Sequence, residues 1–376
     1  MNKLLKSFRN LPGWRTSRRI IVFESDDWGS IRMPSLDAFA RLKELKIDLE
    51  SNDYSRYNLN DTLADKDDFT SLYEVLGSVE DTNGNPAAFT ALSVVANPDF
   101  GKIRENGFSQ YCFEPFTETL ERYYPGHDVF GLWREGIDKG LFIPQFHGRE
   151  HLNVTAWMNA LRNGDKKARA AFDEGMWGYV PERANGSPVE FQAAFQMTAA
   201  SDIQVHKEII SSGLDLFHDL FGYRAAYFVP PNGPINNSLN VTLAEKGISY
   251  RSSSKIQKES AGLGKDRTRI HWLGQKDKSG IIYITRNCFF EPSCQGESYS
   301  VGACLKNIEN AFAWNKPAVV SSHRVNYTGH LNPGNRETGL RELRRLLEMI
   351  VKKWPDAEFM TTDRLGKLIS EDGTGN

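Results

Sequence analysis

The sequence predicts an α/β protein, a (β/α) barrel of seven or eight parallel strands with loop insertions. Three observations carry that expectation. Short apolar, β-branched runs alternate with longer helical patterns, as in βα units wound around a parallel sheet. Eight such runs occur along the 376 residues. Their C-terminal ends are polar, as at the rim of a barrel where strands give way to loops.

The runs, in order, are "RRIIVFES", "AAFTALSVV", "LFIPQFH", "AAYFVPP", "ISYRSSS", "IIYITRN", "AVVSSH" and "AEFMTT". Between them lie stretches such as "SLDAFARLKELK", "DIQVHKEIISSGLDLFHDLFG" and "RETGLRELRRLLEMIVKKW", whose leucines and isoleucines recur every three or four residues and predict helices packed on the barrel. Two segments break the rhythm and read as insertions. One is the Asn/Asp-rich stretch near 48–69; the other, near 162–192, mixes charges with Trp177, Tyr179 and Pro181. With no internal repeat, low-complexity tail or Pro/Ser-rich linker, a single domain over 1–376 with its core at about 19–368 is expected.

Composition excludes some function classes. Hydrophobic residues make up 40% and charged residues 25%, which suits a globular protein with a sizeable core. A formal charge of −2, with both signs well mixed, gives no electrostatic footprint for nucleic acid or an anionic membrane surface. The basic N-terminus "MNKLLKSFRNLPGWRTSRR" has too short an apolar stretch for a signal peptide, and no later run is long enough to span a bilayer, so a cytoplasmic location without membrane insertion is expected. Cys112, Cys288, Cys294 and Cys304 match neither a zinc knuckle nor a secreted disulfide framework and read as reduced thiols.

The polar strand ends hold the chemistry. Asp26 and Asp27 follow the first run, His147 the third, Asn232 the fourth, Arg286 and Asn287 the sixth, and His323 with Arg324 the seventh. In "FHGREH", His147 and His151 stand four apart, a spacing that in a helical turn puts both imidazoles on one face, within reach of one cation. Two unrelated histidines give the same pattern. A hydrolytic metal site needs a third ligand and an open position for water, and either Asp26 or Asp27 is placed to supply it. Adjacent acids at a strand end can equally cap a helix or stay solvated. A turn there, aided by Gly29, would aim both carboxylates at one pocket, one for metal and one for protons.

The order "ESDDWGS", "FHGREH", "YFVPPNG", "VVSSHRVN" and "AEFMTTDRL" resembles the polysaccharide deacetylase family with its NodB-homology domain, over about residues 19–368. The resemblance implies a distorted (β/α) barrel and hydrolysis of N- or O-acetyl groups on sugars with a divalent metal, zinc first. It implies Asp27, His147 and His151 as metal ligands, Asp26 as general base and His323 as general acid. The loop "FVPPNGPINN", with Pro231 and Asn232, resembles the motif that shapes the groove wall. The chain departs from the pattern there: Val229 stands where the family has an arginine that orients the base, and Asn232 replaces a tyrosine. Arg251, Arg286 and Arg324 are all candidates to replace the missing cation. The fourth motif is matched only by "HWLG", at His271 and Trp272.

Arg286, Asn287 and Arg324 are also expected to contact substrate. Trp28, and Trp177 with Tyr179, are candidates to stack on a sugar ring, with packing as the alternative; Trp157 and Trp314 read as packing residues. The expected substrate is a small molecule or an oligosaccharide. Two other functions stay open: cleavage of a ring amide or ureide C–N bond, and a catalytically silent carbohydrate-binding protein, for which Val229 is the best evidence. Oligomeric state is not legible.

Overall fold

The structure is a computed structural model that describes residues 12–50, 54–179, 190–262, 265–294 and 296–373. The N-terminal basic segment up to residue 11 and residues 180–189 of the second expected insertion, Pro181 among them, lie outside these.

Nine strands form the main sheet: β1 (Arg19–Trp28), β2 (Phe89–Ser93), β3 (Phe142–Phe146), β4 (Tyr227–Phe228), β5 (Tyr250–Ser252), β6 (Ile282–Ile284), β7 (Cys288–Phe289), β8 (Ala318–His323) and β9 (Ala357–Phe359). Their order is β6-β5-β4-β3-β2-β1-β8-β7, with β9 on β1. Every pair in it is parallel. It is a distorted (β/α) barrel. All eight expected runs are strands of it; the ninth, Cys288–Phe289, follows the sixth run so closely that no turn signal separates them.

This short gap matters to the site. β6 ends one edge of the sheet and β7 the other, so Thr285–Asn287 carries the chain across the open seam between them. Arg286 sits at the middle of that crossing.

β1 is buried on both faces, as a central parallel strand must be. Alternation sorts its side chains. Ile20 and Val22 join Leu92, Tyr227, Ile284 and Val319 in the barrel interior, with Leu365 and Ile369 of the helix Thr362–Asp372. Ile21 and Phe23 face the outer layer, where the helices Lys66–Leu76, Val129–Asp138, Val301–Ala313 and Pro333–Lys353 bury their apolar stripes. A further apolar layer gathers Phe146 and Phe228 against the helices Val154–Arg162 and Asp202–Phe221. By the same parity Glu24 and Asp26 point inward.

Two antiparallel hairpins lie outside the main sheet, Ala96–Pro98 with Phe113–Pro115 and Ile256–Glu259 with Arg267–Ile270. The polar stretch near 48–69 contains the helix Tyr54–Asn60 and the capping box of Asp65 and Asp68 that starts the next helix. Its Asp61 accepts a 2.9 Å bond from the buried Arg324, which fastens the segment to the end of β8. Among the described residues no helix is long and apolar enough to cross a membrane.

Candidate metal centre

The two aspartates at the end of β1 reach one pocket because the strand breaks its own alternation. Asp26 follows the inward parity of Glu24. A regular strand would send Asp27 outward. Instead Asp27 takes a left-handed backbone, φ 77°, and the register with β2 shifts between Ser25 and Trp28. Aspartate is among the few non-glycine residues that tolerate this conformation. Gly29 follows at φ 82°, where an added Cβ would lie 2.4 Å from the Val94 carbonyl oxygen. The turn sequence therefore leaves no room for a side chain at 29 and aims the Asp27 carboxylate at the loop after β3.

That loop is irregular, which corrects the expectation of a helical turn for His147 and His151. Gly148, at φ 114°, bends the chain immediately after His147. Arg149 and Glu150 then form a buried bidentate pair at 2.6 and 2.7 Å, and the Arg149 guanidinium lies 4.1 Å from the Phe113 ring centroid. The Arg149 carbonyl accepts from the amides of Val95 and Ala96. These contacts, not a helix, return the chain so that His151 faces His147. The helix proper starts one turn later, capped by Asn153.

The three ligand atoms of Asp27, His147 and His151 lie within 4.8 Å of one another. Asp27 Oδ1 is 3.4 Å from His147 Nε2 and 3.2 Å from His151 Nε2. The Val229 carbonyl accepts a 2.8 Å bond from His147 Nδ1, which fixes the tautomer and leaves the Nε2 lone pair toward the site. His147 Nε2 is buried and has no hydrogen-bond partner. Trp177 stacks on His151, centroids 6.2 Å apart and planes at 25°. Burial lowers the His151 pKa and keeps the ring neutral, the ligating form. A carboxylate, two imidazoles and an orphaned buried lone pair fit a divalent cation such as Zn²⁺.

Beside this triad stand two carboxylate-centred pairs. Arg286 donates to both oxygens of Asp26, Nη1 at 2.7 Å and Nη2 at 2.5 Å, and through Nε to Glu24 at 2.6 Å. Glu24 is fully buried and also accepts from Thr362 (2.8 Å) and Tyr227 (3.2 Å). Burial alone would raise the Asp26 pKa; Arg286 brings it below the usual value. On the other side His323 Nδ1 is 2.5 Å from Glu291 Oε1, while its Nε2 lies 3.9 Å from Asp26 Oδ2. Burial works against the imidazolium, yet Glu291 raises the His323 pKa to about 9. Glu291 also accepts from Arg56 (2.7 Å) and Asn326 (2.8 Å).

The site opens into a cleft of about 2560 Å³ lined by Asp26, Asp27, Tyr57, His147, His151 and His323 among others. Other expected contacts are redistributed. Trp28 is 1% exposed and packs on Phe142 (4.7 Å) and Phe69 (5.5 Å), so it has no face for a ligand. Arg324 is fully buried on Asp61 and the Ser30 carbonyl, and Pro231 is buried beneath the cleft wall that Pro230 and Asn232 line. Asn232 is exposed and left-handed (φ 54°) and donates to Glu190. Asn287 spends both ends of its amide on the backbone of Pro317 and Val319. Trp177, Tyr179 and Trp157 are buried, while Trp314, expected in packing, is half-buried on the cleft.

Of the three arginines that were candidates to supply a cation in place of Val229, Arg286 alone holds Asp26; Arg251 is buried on Asn240 and Asn237. His271 is tied to Gln257 and Gln275. Sequence reasoning missed Glu24, Glu291, Arg56 and Tyr57. Glu24 had a signal, a charge inside an apolar run at the inward parity. Glu291 had none beyond lying soon after the seam crossing.

No protein-family model matches the chain, and no curated protein matches it. Solved structures do. A protein described as a polysaccharide deacetylase from Mycobacterium smegmatis is 10% identical, with 96% of this chain and 94% of that chain covered and a TM-score of 0.44. One so described from Pseudomonas aeruginosa PAO1 is 11% identical over 93% and 91%, TM-score 0.47. The PuuE allantoinase is 12% identical over 95% and 93%, TM-score 0.46.

Proposed function

We propose that this protein is a metal-dependent hydrolase that removes an acetyl group, from nitrogen in the first instance, from a sugar or short glycan. The observation that carries the reading is the buried Asp27–His147–His151 triad with its orphaned Nε2, flanked by an arginine-held carboxylate and a carboxylate-held imidazole. A divalent cation held by the triad, zinc as first choice, supplies Lewis acidity toward a carbonyl and toward water.

The remaining chemistry belongs to the chain. Asp26, kept ionised at neutral pH by Arg286, accepts the proton of the attacking water. The bidentate fork fixes the direction of its oxygens, and Glu24 fixes the fork. His323 keeps Nδ1–H on Glu291 and, as imidazolium at neutral pH, delivers the Nε2 proton to the departing amine. One proton is taken and one given while the C–N bond breaks, so the amine leaves neutral. Val229 costs the site nothing as a cation, because its backbone carbonyl orients His147 and the charge enters from Arg286.

The test is acetate release from a panel of acetylated amino sugars together with metal analysis. Asp27→Asn is expected to lose metal and turnover together, because an anionic ligand is gone. Asp26→Asn is expected to keep its metal and lose about 10²–10⁴ in rate. Metal at undiminished stoichiometry in both His147→Ala and His151→Ala would sink the ligand assignment. Opening of a cyclic ureide with every acetamide left intact would put that amide class in place of the sugar, and an inert, sugar-binding parent would replace the enzyme reading.

A further inference from the structure

The helix Tyr54–Asn60 delivers an aromatic side chain to the acid side of the cleft. Tyr57 is half-buried and lines the cleft with Asp26, Asp27 and His323. Its ring stands edge-on to the His323 imidazole, with centroids 5.9 Å apart and planes at 88°. Two guanidiniums hold it, Arg56 Cζ at 4.5 Å and Arg32 Cζ at 5.0 Å from the ring centroid. Arg56 Nη2 also donates to the phenolic oxygen at 2.8 Å, and Arg56 is itself anchored on Glu291 and Ser293.

With a cation donating to its oxygen, the phenol turns its own O–H away from Arg56. Burial holds the Tyr57 pKa well above its ordinary value, with Asp27 and Glu291 adding to the rise against Arg56 and Arg32, so the proton stays on. A donor fixed at both ring and oxygen, beside the proposed acid, matches what a developing oxyanion needs. We propose that Tyr57 is a catalytic residue: its O–H donates to the acyl carbonyl oxygen of the substrate, and more strongly as that oxygen gains charge. Water adds to the carbonyl carbon, its proton passes to Asp26, and the π pair moves onto the oxygen facing Tyr57. Collapse restores the carbonyl and expels the amine, protonated by His323. Tyr57 keeps its proton throughout.

This inference rests on the amide-hydrolase reading above and brings to it a group from the polar segment near 48–69. The experiment compares Tyr57→Phe with the parent on the acetylated sugar and on an aryl acetate, whose leaving group needs no proton. The expected result is a fall in kcat of about 10²-fold on both substrates. KM should change less than about threefold, with metal stoichiometry unchanged. Parent-like kcat would overturn the proposal. So would a loss seen on the amide and absent on the aryl acetate, since Tyr57 would then act by positioning His323. If Tyr57→Phe does not fold, Arg56→Lys on the aryl acetate serves in its place: a weakened phenol donor slows it, and an unchanged rate overturns the proposal. A metal-loaded parent that hydrolyses neither substrate removes the amide-hydrolase reading and this role together. A working parent matched by Tyr57→Phe removes only this role.

Discussion

Replacing Arg286 by Gln tests the arrangement at its centre. The guanidinium makes four contacts of 3.1 Å or less: two to Asp26, one to Glu24 and one to Ser321. Both carboxylates are buried. Single charge-assisted bonds contribute about 1.5–3 kcal/mol, but these share one ion and do not add. Breaking a buried pair while leaving its partner behind typically costs about 3–5 kcal/mol, and that is the expected loss at pH 7. Glu24 keeps Thr362 and Tyr227, whereas among the described residues Asp26 keeps no hydrogen bond and has His147 and His323 as its remaining favourable neighbours, so Asp26 is the group that takes up a proton.

The sign of the pH dependence follows. In the parent the depressed Asp26 pKa contributes stability above the unfolded value of about 3.9 and loses it as pH falls through the folded value. In Arg286→Gln burial raises the pKa, in documented carboxyls to about 8–9, so the deficit against the parent shrinks as pH falls toward 4. The acid limb of kcat/KM moves up by the same cause, and the rate at pH 7 drops at least about tenfold and recovers toward pH 9. Urea denaturation at pH 7 and pH 4.5 and a pH–rate profile read both effects. A stability loss under about 1 kcal/mol with an unmoved acid limb would refute the reasoning. Arg286→Lys, with the charge but not the fork, should fall between.

Glu291→Gln should move the basic limb of kcat/KM down from about 9, because the raised His323 pKa depends on that carboxylate. The same raised pKa contributes stability that is complete below about 6.5 and lost as pH rises through about 9, while Glu291 must stay ionised to supply it, so parent and variant should differ most between about pH 4.5 and 6.5; histidine NMR titration checks it. Trp28→Ala should cost about 3–5 kcal/mol as a core truncation, while Trp28→Phe should leave KM where it is. A raised KM in a stable Trp28→Phe would restore Trp28 to the cleft.

The sequence by itself determined the barrel. Runs such as "IIVFES" and "AVVSS" are buried on both faces, and such burial writes itself into composition, because no polar residue is tolerated there without a partner. It also brought the polar strand ends into one neighbourhood, since parallel strands all finish on the same rim. What it left open were directions. Asp26 and Asp27 are chemically alike and adjacent; only the left-handed backbone at Asp27 separates the one facing Arg286 from the one facing two histidines. The spacing of His147 and His151 fits a helical turn, but Gly148 and the Arg149–Glu150 pair bring them together without one. Three arginines near strand ends were equivalent on paper, and Arg286 is distinguished by lying in the seam between two sheet edges, a property of closure that no local pattern records. Trp28 looked like part of a site because it follows two aspartates, yet the register shift that turns Asp27 toward the mouth accompanies an indole packed into the outer core. Residue types and their order are local and survive in the sequence. Which face a side chain presents, and which distant carboxylate meets which cation, depends on strand pairing over more than 250 positions, as Arg286 with Asp26 at a separation of 260 shows, and only the tertiary structure decides it.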